Sequence, residues 1–453
     1  MLRRWVVRPF VWGLLAIVLL LLGAVAFVGS RFAHARATAL LTAQLSEFLG
    51  RQVHLGSVSY DFLPPAVELH DLIIPGPRPA DPPVVAVPLV RVELDVSHLD
   101  RRHLRIEQVD VVRPRIYLQW NAAGGSNLPP FPRREGAAQH LEIEIGHILL
   151  EDGVVQLNER HSPLTVDARA LWGRATGAGG GRLSLLLTAQ EVVTNLPNMR
   201  HPYPFTLSAK GSLLPGKLQL STVRLAGPDL AFQVAGTVGW QGINRVALAY
   251  DVRGAARFLN RVGWMEEPID AALDITGRFD LAGGRGGDWS YSGTLASPRV
   301  AVLHRVFRDL AAQFKGDSVR LEVEVVHAGY DGGKVSGPVR VETGVRPGPR
   351  GGRPVMADLL FTDCVLQSLL IDQFPEQFAG RDGPVVELAS RVSGRLRYQF
   401  QSADTLQGSG QAELRIFPAP GLGRGLPVAA TWTVAITRGV LSSSGIPVNA
   451  AGQ

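Results

Sequence analysis

The sequence has almost no cysteine: Cys364 is the only one in 453 residues. A single thiol cannot form a disulfide within the chain, and no Cys-x-x-Cys pair is present for zinc or redox chemistry. Cys364 lies in Phe-Thr-Asp-Cys-Val-Leu with no histidine nearby. This context favours a buried, small hydrophobic side chain over a catalytic nucleophile.

Lysine is also scarce, and the net charge of +6 comes from arginine. The lysines are Lys210, Lys217, Lys315 and Lys334. Basic residues are scattered singly, without the zinc-ligand spacing or helix-turn-helix pattern typical of nucleic-acid binding. The sequence therefore predicts no nucleic-acid partner.

Common catalytic motifs are absent as well. There is no His-Glu-x-x-His, no Gly-x4-Gly-Lys and no Gly-x-Ser-x-Gly, and the glycine clusters at 177–181 and 421–425 do not complete Gly-x-Gly-x-x-Gly. We therefore expect no enzyme, no cofactor and no metal site. An exported hydrolase stays an alternative, because catalytic triads assemble in space rather than in sequence.

One long apolar run is present, and it lies at the N-terminus. Residues 9–30 carry no charge and follow Arg3, Arg4 and Arg8. A helix needs about 20 such residues to cross a bilayer, and arginines before a span keep that end in the cytoplasm. We predict that this run is a transmembrane anchor. Its large apolar residues are Val11, Leu14, Leu15, Ile17, Val18, Leu19, Leu20, Leu21, Leu22, Val25, Phe27 and Val28.

A cleaved signal peptide is the competing interpretation of this segment. Ala33-His-Ala35 and Ala35-Arg-Ala37 resemble the small-x-small cleavage pattern. The apolar run is longer than the roughly 7–15 residues of a signal peptide, which favours a retained anchor. Either interpretation exports the rest of the chain.

After the anchor, the hydrophobic period changes from helical to alternating. Leu41, Leu45 and Leu49 recur at helical spacing before Gly50, so residues 31–50 predict an amphipathic helix. Later apolar residues alternate with polar ones, as in half-buried antiparallel strands. Short helices are expected at 301–314 and 365–379. The apolar strand positions are Val92, Leu94, Val96, Ile116, Leu118, Leu321, Val323, Val325, Leu414, Ile416, Val434 and Ile436.

A weak internal repeat accompanies the strands. Thr276-Gly277-Arg278-Phe279 is followed by Gly293, and Ser393-Gly394-Arg395-Leu396 by Gly410, each sixteen residues after the first glycine. This spacing favours repeated β-modules. Alternation does not say what covers the apolar faces, because a second sheet in a sandwich produces the same pattern.

The order of several short segments resembles the AsmA/TamB family of envelope proteins. The segments are Leu49-Gly50-Arg51, residues 62–72, 87–94, 103–109, 113–118 and 124–129, and downstream Tyr291–Pro298 and Tyr330–Gly337. The resemblance implies an elongated, repeat-like antiparallel sheet curled into a groove. It also implies an inner-membrane protein with its bulk in the periplasm that carries phospholipids between the two membranes.

This resemblance sets the expected organisation and function. Residues 1–30 are the cytoplasmic stub and anchor, 31–50 the helix, 51–170 an AsmA-like β region, and 171–453 repeated groove modules. The chain has no recognisable C-terminal domain for engaging the outer membrane, so it is either a short member or incomplete. The expected partners are phospholipids, the inner membrane and an outer-membrane protein. The alternative is a periplasmic scaffold or assembly factor that binds proteins along strand edges.

Overall fold

The structure is a computed structural model, and it describes most of the chain after residue 30. The predicted anchor, residues 11–28, and Val96 lie outside the described residues. None of the described helices is long and apolar enough to cross a membrane. The described ranges are 31–62, 64–95, 103–120, 126–128, 142–159, 164–179, 181–195, 199–239, 245–262, 268–282, 289–302, 305–344, 353–373, 387–402, 404–422, 425–438, 440–443 and 449–450.

Strands dominate these residues, with three short stretches of helix after the first long one. The helices are α1 (Arg31–Leu49), α2 (Phe258–Arg261), α3 (Leu366–Gln373) and a 3-10 turn at Pro420–Leu422. The strands are β1 (Ser57–Phe62), β2 (Pro65–Ile74), β3 (Val85–Leu94), β4 (His103–Val112), β5 (Arg115–Trp120), β6 (Glu142–Glu159), β7 (Leu164–Gly177), β8 (Leu183–Asn195), β9 (Tyr203–Leu214), β10 (Lys217–Ala226), β11 (Leu230–Gly239), β12 (Arg245–Ala255), β13 (Ile269–Ala282), β14 (Trp289–Val302), β15 (Arg305–Asp317), β16 (Arg320–Tyr330), β17 (Gly333–Glu342), β18 (Pro354–Val365), β19 (Ser390–Gln401), β20 (Asp404–Pro418), β21 (Val428–Thr437), β22 (Val440–Ser443) and β23 (Asn449–Ala450).

The strands form one long sheet, which confirms the expected β class. Nearly all neighbours are antiparallel and are joined by short connections. The exception is β6, which runs parallel to both β4 and β5. β4 and β5 run in the same direction and are separated by Arg113 and Pro114, so together they act as one kinked strand beside β6.

Helix α1 confirms the helix predicted for residues 31–50. Leu41, Leu45 and Leu49 follow one another at four-residue spacing and are all buried, so they form a single apolar stripe. Gly50 ends the helix with a φ of 59°, the left-handed conformation that glycine adopts without steric cost.

The helix predicted at 301–314 is wrong, because most of this segment is strand β15. The helix was predicted in part because Phe307 and Leu310 are three residues apart, which is a spacing typical of one helix face. In the structure, Asp309 has a φ of 51° and the pairing with β16 shifts register here. This bulge inserts one residue and produces the spacing of three within a strand. The helix predicted at 365–379 is confirmed as far as Gln373 by α3, and residues 374–379 lie outside the described residues.

The chain divides into two compact units. Unit 1 comprises residues 1–248 with 262–264 and 282–286, and unit 2 comprises residues 249–261, 265–281 and 287–453. The expected boundary near residue 170 falls inside β7, within unit 1. In unit 1 the largest buried core lies where α1 packs on β1 to β4. In unit 2 the core lies where α3 packs on β16 to β21.

The sequence repeat corresponds to a repeated order of elements in unit 2. A strand, a short helix and two strands occur as β12-α2-β13-β14 and again as β18-α3-β19-β20. The pairing of the glycines differs between the two blocks. Gly277 pairs with Gly293, whereas Gly394 pairs with Leu414. Equal spacing in sequence therefore gives the same topology without the same register.

Candidate functional site: an apolar sheet face

The apolar side of the sheet in unit 1 is continuous across its strands. One row of paired residues, defined by the strand register, begins at Val92 under α1. It runs through Val109, Ile148, Ala175, Leu185 and Gly211 to Leu220. Side chains paired in this way point to the same face. We call this side the apolar face of unit 1.

Helix α1 covers only the first part of this face. Val92 is 0% exposed and Leu94 4% exposed, and both lie in the same buried cluster as Leu41 of α1. Ile116 and Leu118 lie further along, paired with Val155 and Leu157 of β6, and are half-buried. The four described candidates from unit 1 therefore share a face but differ in what covers them.

Beyond the helix, β8 shows the face at its most regular. Leu183, Leu185 and Leu187 are half-buried, whereas their alternating neighbours Ser184 and Thr188 are exposed. In a packed two-layer domain the inward leucines are usually fully buried. Their partial exposure is what an uncovered sheet face produces.

The candidates in unit 2 also share one face. From Val323 the register runs through Val339, Ala357, Tyr398 and Gly410 to Ile436. A neighbouring row joins Leu396, Ala412 and Val434. The structure thus brings together, on what we call the apolar face of unit 2, the predicted residues Leu321, Val323, Val325, Leu414, Ile416, Val434 and Ile436.

Burial within this face is uneven. Leu321, Val323 and Val325 are half-buried, whereas Ile416 is 6% and Val434 4% exposed. Ile416 belongs to a buried cluster that α3 completes with Leu366 and Leu370. The face is therefore filled by protein near α3 and uncovered around β16.

The opposite face of unit 2 is charged and self-paired. Glu322 lies within 3.2 Å of Lys315 and 3.7 Å of Arg340, and the hydrogen bond from Lys315 is the largest of the effects that lower its pKa. Arg395 donates two hydrogen bonds of 2.6 Å to Asp358. Hydrogen bonding from Arg395 is the largest of the effects that lower the pKa of the Asp358 carboxyl. This face can remain in water without a partner.

Bulges recur at similar positions in successive strands of unit 2. The register shifts after Ala271 in β13, near Ala311 in β15, after Val325 in β16 and after Phe361 in β18. A bulge bends its strand and increases local twist. Each of these four strands is therefore bent locally at its bulge.

The described residues offer little for acid-base or metal chemistry. They contain no group of three or more His, Cys, Asp or Glu side chains able to hold a metal ion. Burial raises the pKa of the Cys364 thiol to about 11, so it is protonated at neutral pH. A cavity of about 580 Å³ lies beside Arg253, Asp274 and Asp309, and Arg253 already pairs with Asp274.

Sequence reasoning missed one feature of the apolar face of unit 2, a row of aromatic rings. Phe279, Trp289, Tyr291 and Phe314 follow one another with ring centroids 5.7 to 6.4 Å apart. The alternation of Trp289, Ser290 and Tyr291 is a strand pattern that places both rings on one side. Only the register shows that they join rings from two other strands.

The comparisons with known proteins leave the chain unassigned. No family model, no curated protein and no solved structure matches it. The apolar face therefore has to be interpreted from its own geometry.

Proposed function

We propose that this chain carries lipids on the apolar faces of its two units, as the resemblance to AsmA/TamB proteins implies. The observation that carries the proposal is a one-sided sheet in which apolar side chains away from α1 and α3, such as Leu185 of β8 and Val323 of β16, are only half-buried. Apart from the two-residue β23, the described strands belong to one sheet, so the described residues contain no separate second sheet large enough to pack on these faces. Acyl chains are a chemically suitable cover for a face of this kind.

The charged opposite face supports the same assignment. If a protein carries lipid on one face of a sheet in an aqueous compartment, the other face must remain in contact with water. Ion pairs such as that between Asp358 and Arg395 hold that side polar, while no charged side chain occupies the row from Val323 to Ile436. The two faces therefore differ in the way that a lipid carrier needs.

The proposal includes the location of the chain in the cell envelope. An N-terminal anchor in the inner membrane would place the sheet in the periplasm, where phospholipids pass between membranes during outer-membrane biogenesis. A reporter that is active only outside the cytoplasm, fused after Gly50, tests the export step. An inactive reporter would contradict it.

The test of lipid carriage is a charge placed on the uncovered face. Val323→Asp should leave melting nearly unchanged, because a carboxylate at this half-buried position can still reach water, and substitutions outside a packed core cost about 0.5 kcal/mol or less. It should reduce the phospholipid that co-purifies with the full chain, measured by extraction and mass spectrometry. Acyl chains would have to desolvate the charge.

The same strand provides the matched control. Val326 is 54% exposed on β16, past the register shift that follows Val325. Val326→Asp introduces the same charge and should retain both lipid and stability. A Val323→Asp protein that melts far below the parent would indicate a closed core at this position and would overturn the proposal there.

A scaffold function is the second candidate, and β1 is the observation that favours it. Among the described strands β1 pairs only with β2, so its other edge has backbone groups able to pair with an added strand. If the wild-type chain carries no phospholipid under gentle extraction, the scaffold becomes the better explanation.

A further inference from the structure

The apolar face of unit 2 has two different edges along the strand direction. At one edge, which we call the turn edge, β13, β15, β17 and β19 end and β14, β16, β18 and β20 begin. At the opposite edge, which we call the helix edge, α2 follows β12 and α3 follows β18. These edges offer a bound lipid different surroundings, which the proposed function leaves unspecified.

The helix edge is filled by protein. Val392 is 0%, Tyr330 4% and Val335 4% exposed, and they pack in one cluster with Leu366 and Leu370 of α3. A side chain with so little exposure has no surface left for a ligand. The helix edge therefore acts as an apolar wall rather than as a passage.

The turn edge is aromatic and half-buried. Trp289 begins β14, and its ring centroid lies 5.7 Å from that of Tyr291 and 6.4 Å from that of Phe279. Burial raises the pKa of the Tyr291 hydroxyl, so it stays protonated and able to donate a hydrogen bond. Tryptophan and tyrosine with an apolar body and a polar atom are the side chains that prefer a lipid–water boundary.

Two glycines that pair with these aromatic residues allow the rings to lie close to the backbone of the sheet. A Cβ atom at Gly316 would lie 2.5 Å from the Tyr291 ring, and one at Gly293 would lie 2.7 Å from the Phe314 ring. Both rings therefore lie over the backbone of the neighbouring strand, where any larger residue would displace them. The aromatic row therefore forms a floor that lies close to the backbone of the sheet.

The distance from the turn-edge row to the border of the α3 cluster is long enough for one layer of acyl chains. Phe400 shares the turn-edge row of Tyr291, and Gly394 shares the row of Leu414 and Trp432. Six residues of strand separate Phe400 from Gly394, about 20 Å at about 3.3 Å per residue. One leaflet contributes about half of a hydrocarbon core of about 30 Å.

We infer that a glycerolipid lies across unit 2 in one orientation, with its headgroup at the aromatic turn edge and its chain ends toward the α3 wall. This inference rests on the proposed function and specifies how the lipid is held. The headgroup must reach water, and the turn edge combines half-burial with polar ring atoms. The chain ends need an apolar surface, which the α3 cluster and its border provide.

Two tryptophans on the same face make the orientation measurable. Trp289 lies at the turn edge, and Trp432 lies against the α3 cluster. Full-length variants would keep one of these tryptophans and have all others changed to phenylalanine. Each is reconstituted in liposomes of phosphatidylethanolamine and phosphatidylglycerol containing phosphatidylcholine with a nitroxide quencher on the headgroup or at an acyl-chain end.

The expected result is a crossed pattern of fluorescence loss. The headgroup nitroxide should quench Trp289 more than Trp432, and the chain-end nitroxide should quench Trp432 more than Trp289. A third variant that keeps only Trp172, which is 47% exposed in β7 and alternates with the buried Leu171, should show no preference. Circular dichroism and melting would confirm that each variant is folded.

Other patterns overturn the inference in distinguishable ways. Equal or reversed quenching at the two positions would show that lipid binds without this orientation, and lipid carriage would stand. Quenching of Trp289 alone would show that the aromatic edge rests on a membrane surface, and the inference would fail. No quenching at either position would contradict lipid carriage itself.

Discussion

At the residue scale, hydrogen bonds made by Arg51 and Asn127 join segments of the chain that are far apart in sequence. Arg51 donates hydrogen bonds of 3.0 Å to the carbonyl of Pro75 and 2.9 Å to that of Asn127. The Asn127 amide oxygen accepts from the Gln119 backbone, and its nitrogen donates to the Tyr117 carbonyl. These contacts hold the end of α1, the end of β2 and the chain after β5 to one another.

Asn127→Ala should destabilise the chain by about 1–3 kcal/mol, because the part-buried Gln119 N–H and Tyr117 carbonyl lose their hydrogen bonds to the buried Asn127 side chain. Thermal melting of the full chain measures the effect. Ser126→Ala, at the exposed neighbouring position, is the control and should melt like the parent. Equal melting of both variants would show that the Asn127 contacts contribute nothing measurable.

At the element scale, α1 depends on which leucine faces the sheet. Leu41 is 1% exposed and the adjacent Leu40 is 54% exposed, although the two are chemically identical. Leu41 lies in the core with Val67 and Leu69 of β2. Helix α1 is therefore held by one stripe of side chains, and the opposite stripe contributes little.

Leu41→Ala should cost about 2–5 kcal/mol through lost burial and the cavity that remains. Leu40→Ala should stay within about 0.5 kcal/mol of the parent. Chemical denaturation of both variants, followed by circular dichroism, compares them directly. Similar losses would mean that α1 does not pack on the sheet through this stripe.

The ion pairs between β18 and β19 predict a small pH dependence. The pKa of Asp358 lies below its ordinary value of 3.8, first because Arg395 donates a hydrogen bond to it. A lowered folded-state pKa gives stability that is present above 3.8 and is lost as pH falls through the folded value. The Asp358 side chain is 33% exposed, so solvent screening limits the pair to about 1 kcal/mol or less.

Asp358→Asn should therefore flatten the fall in melting temperature below about pH 4 relative to the parent. Melting curves of the two proteins across that range test this. Parallel curves would show that the pair does not contribute to stability. Melting of the parent falls with pH because the folded state favours the ionised Asp358 carboxylate. Protonation of this carboxylate therefore lowers the stability of the folded chain.

At the scale of the whole molecule, coverage by other elements decides what a charge does on the apolar face of each unit. Leu94 and Val434 are each 4% exposed, whereas Val323 is half-buried. Leu94→Asp and Val434→Asp would bury a carboxylate, at a cost of about 2 kcal/mol or more. Val323→Asp would not.

The three aspartate variants should thus separate into two classes by melting temperature. Leu94→Asp and Val434→Asp should melt well below the parent, and Val323→Asp close to it. If all three are tolerated, the apolar faces of both units are uncovered, including the part beneath α1. If all three unfold, both faces are ordinary packed cores at these positions.

The sequence by itself determined the class of fold and the sidedness of the strands. Alternation needs no knowledge of partners, because successive side chains on any strand point to opposite faces. Helix α1 was equally predictable, since Leu41, Leu45 and Leu49 form a stripe that only a helix aligns. The same local reasoning failed at β15, where the bulge at Asp309 imitates a helical spacing.

Only the tertiary structure decided which apolar residues are covered. Val323 and Val434 have the same alternating context in sequence, yet their exposure differs because coverage depends on residues far away in the chain. The aromatic floor is also invisible in sequence, since register alone brings Tyr291 over Gly316 and Phe314 over Gly293. Local pattern sets which way a side chain points, and long-range pairing sets what it meets there.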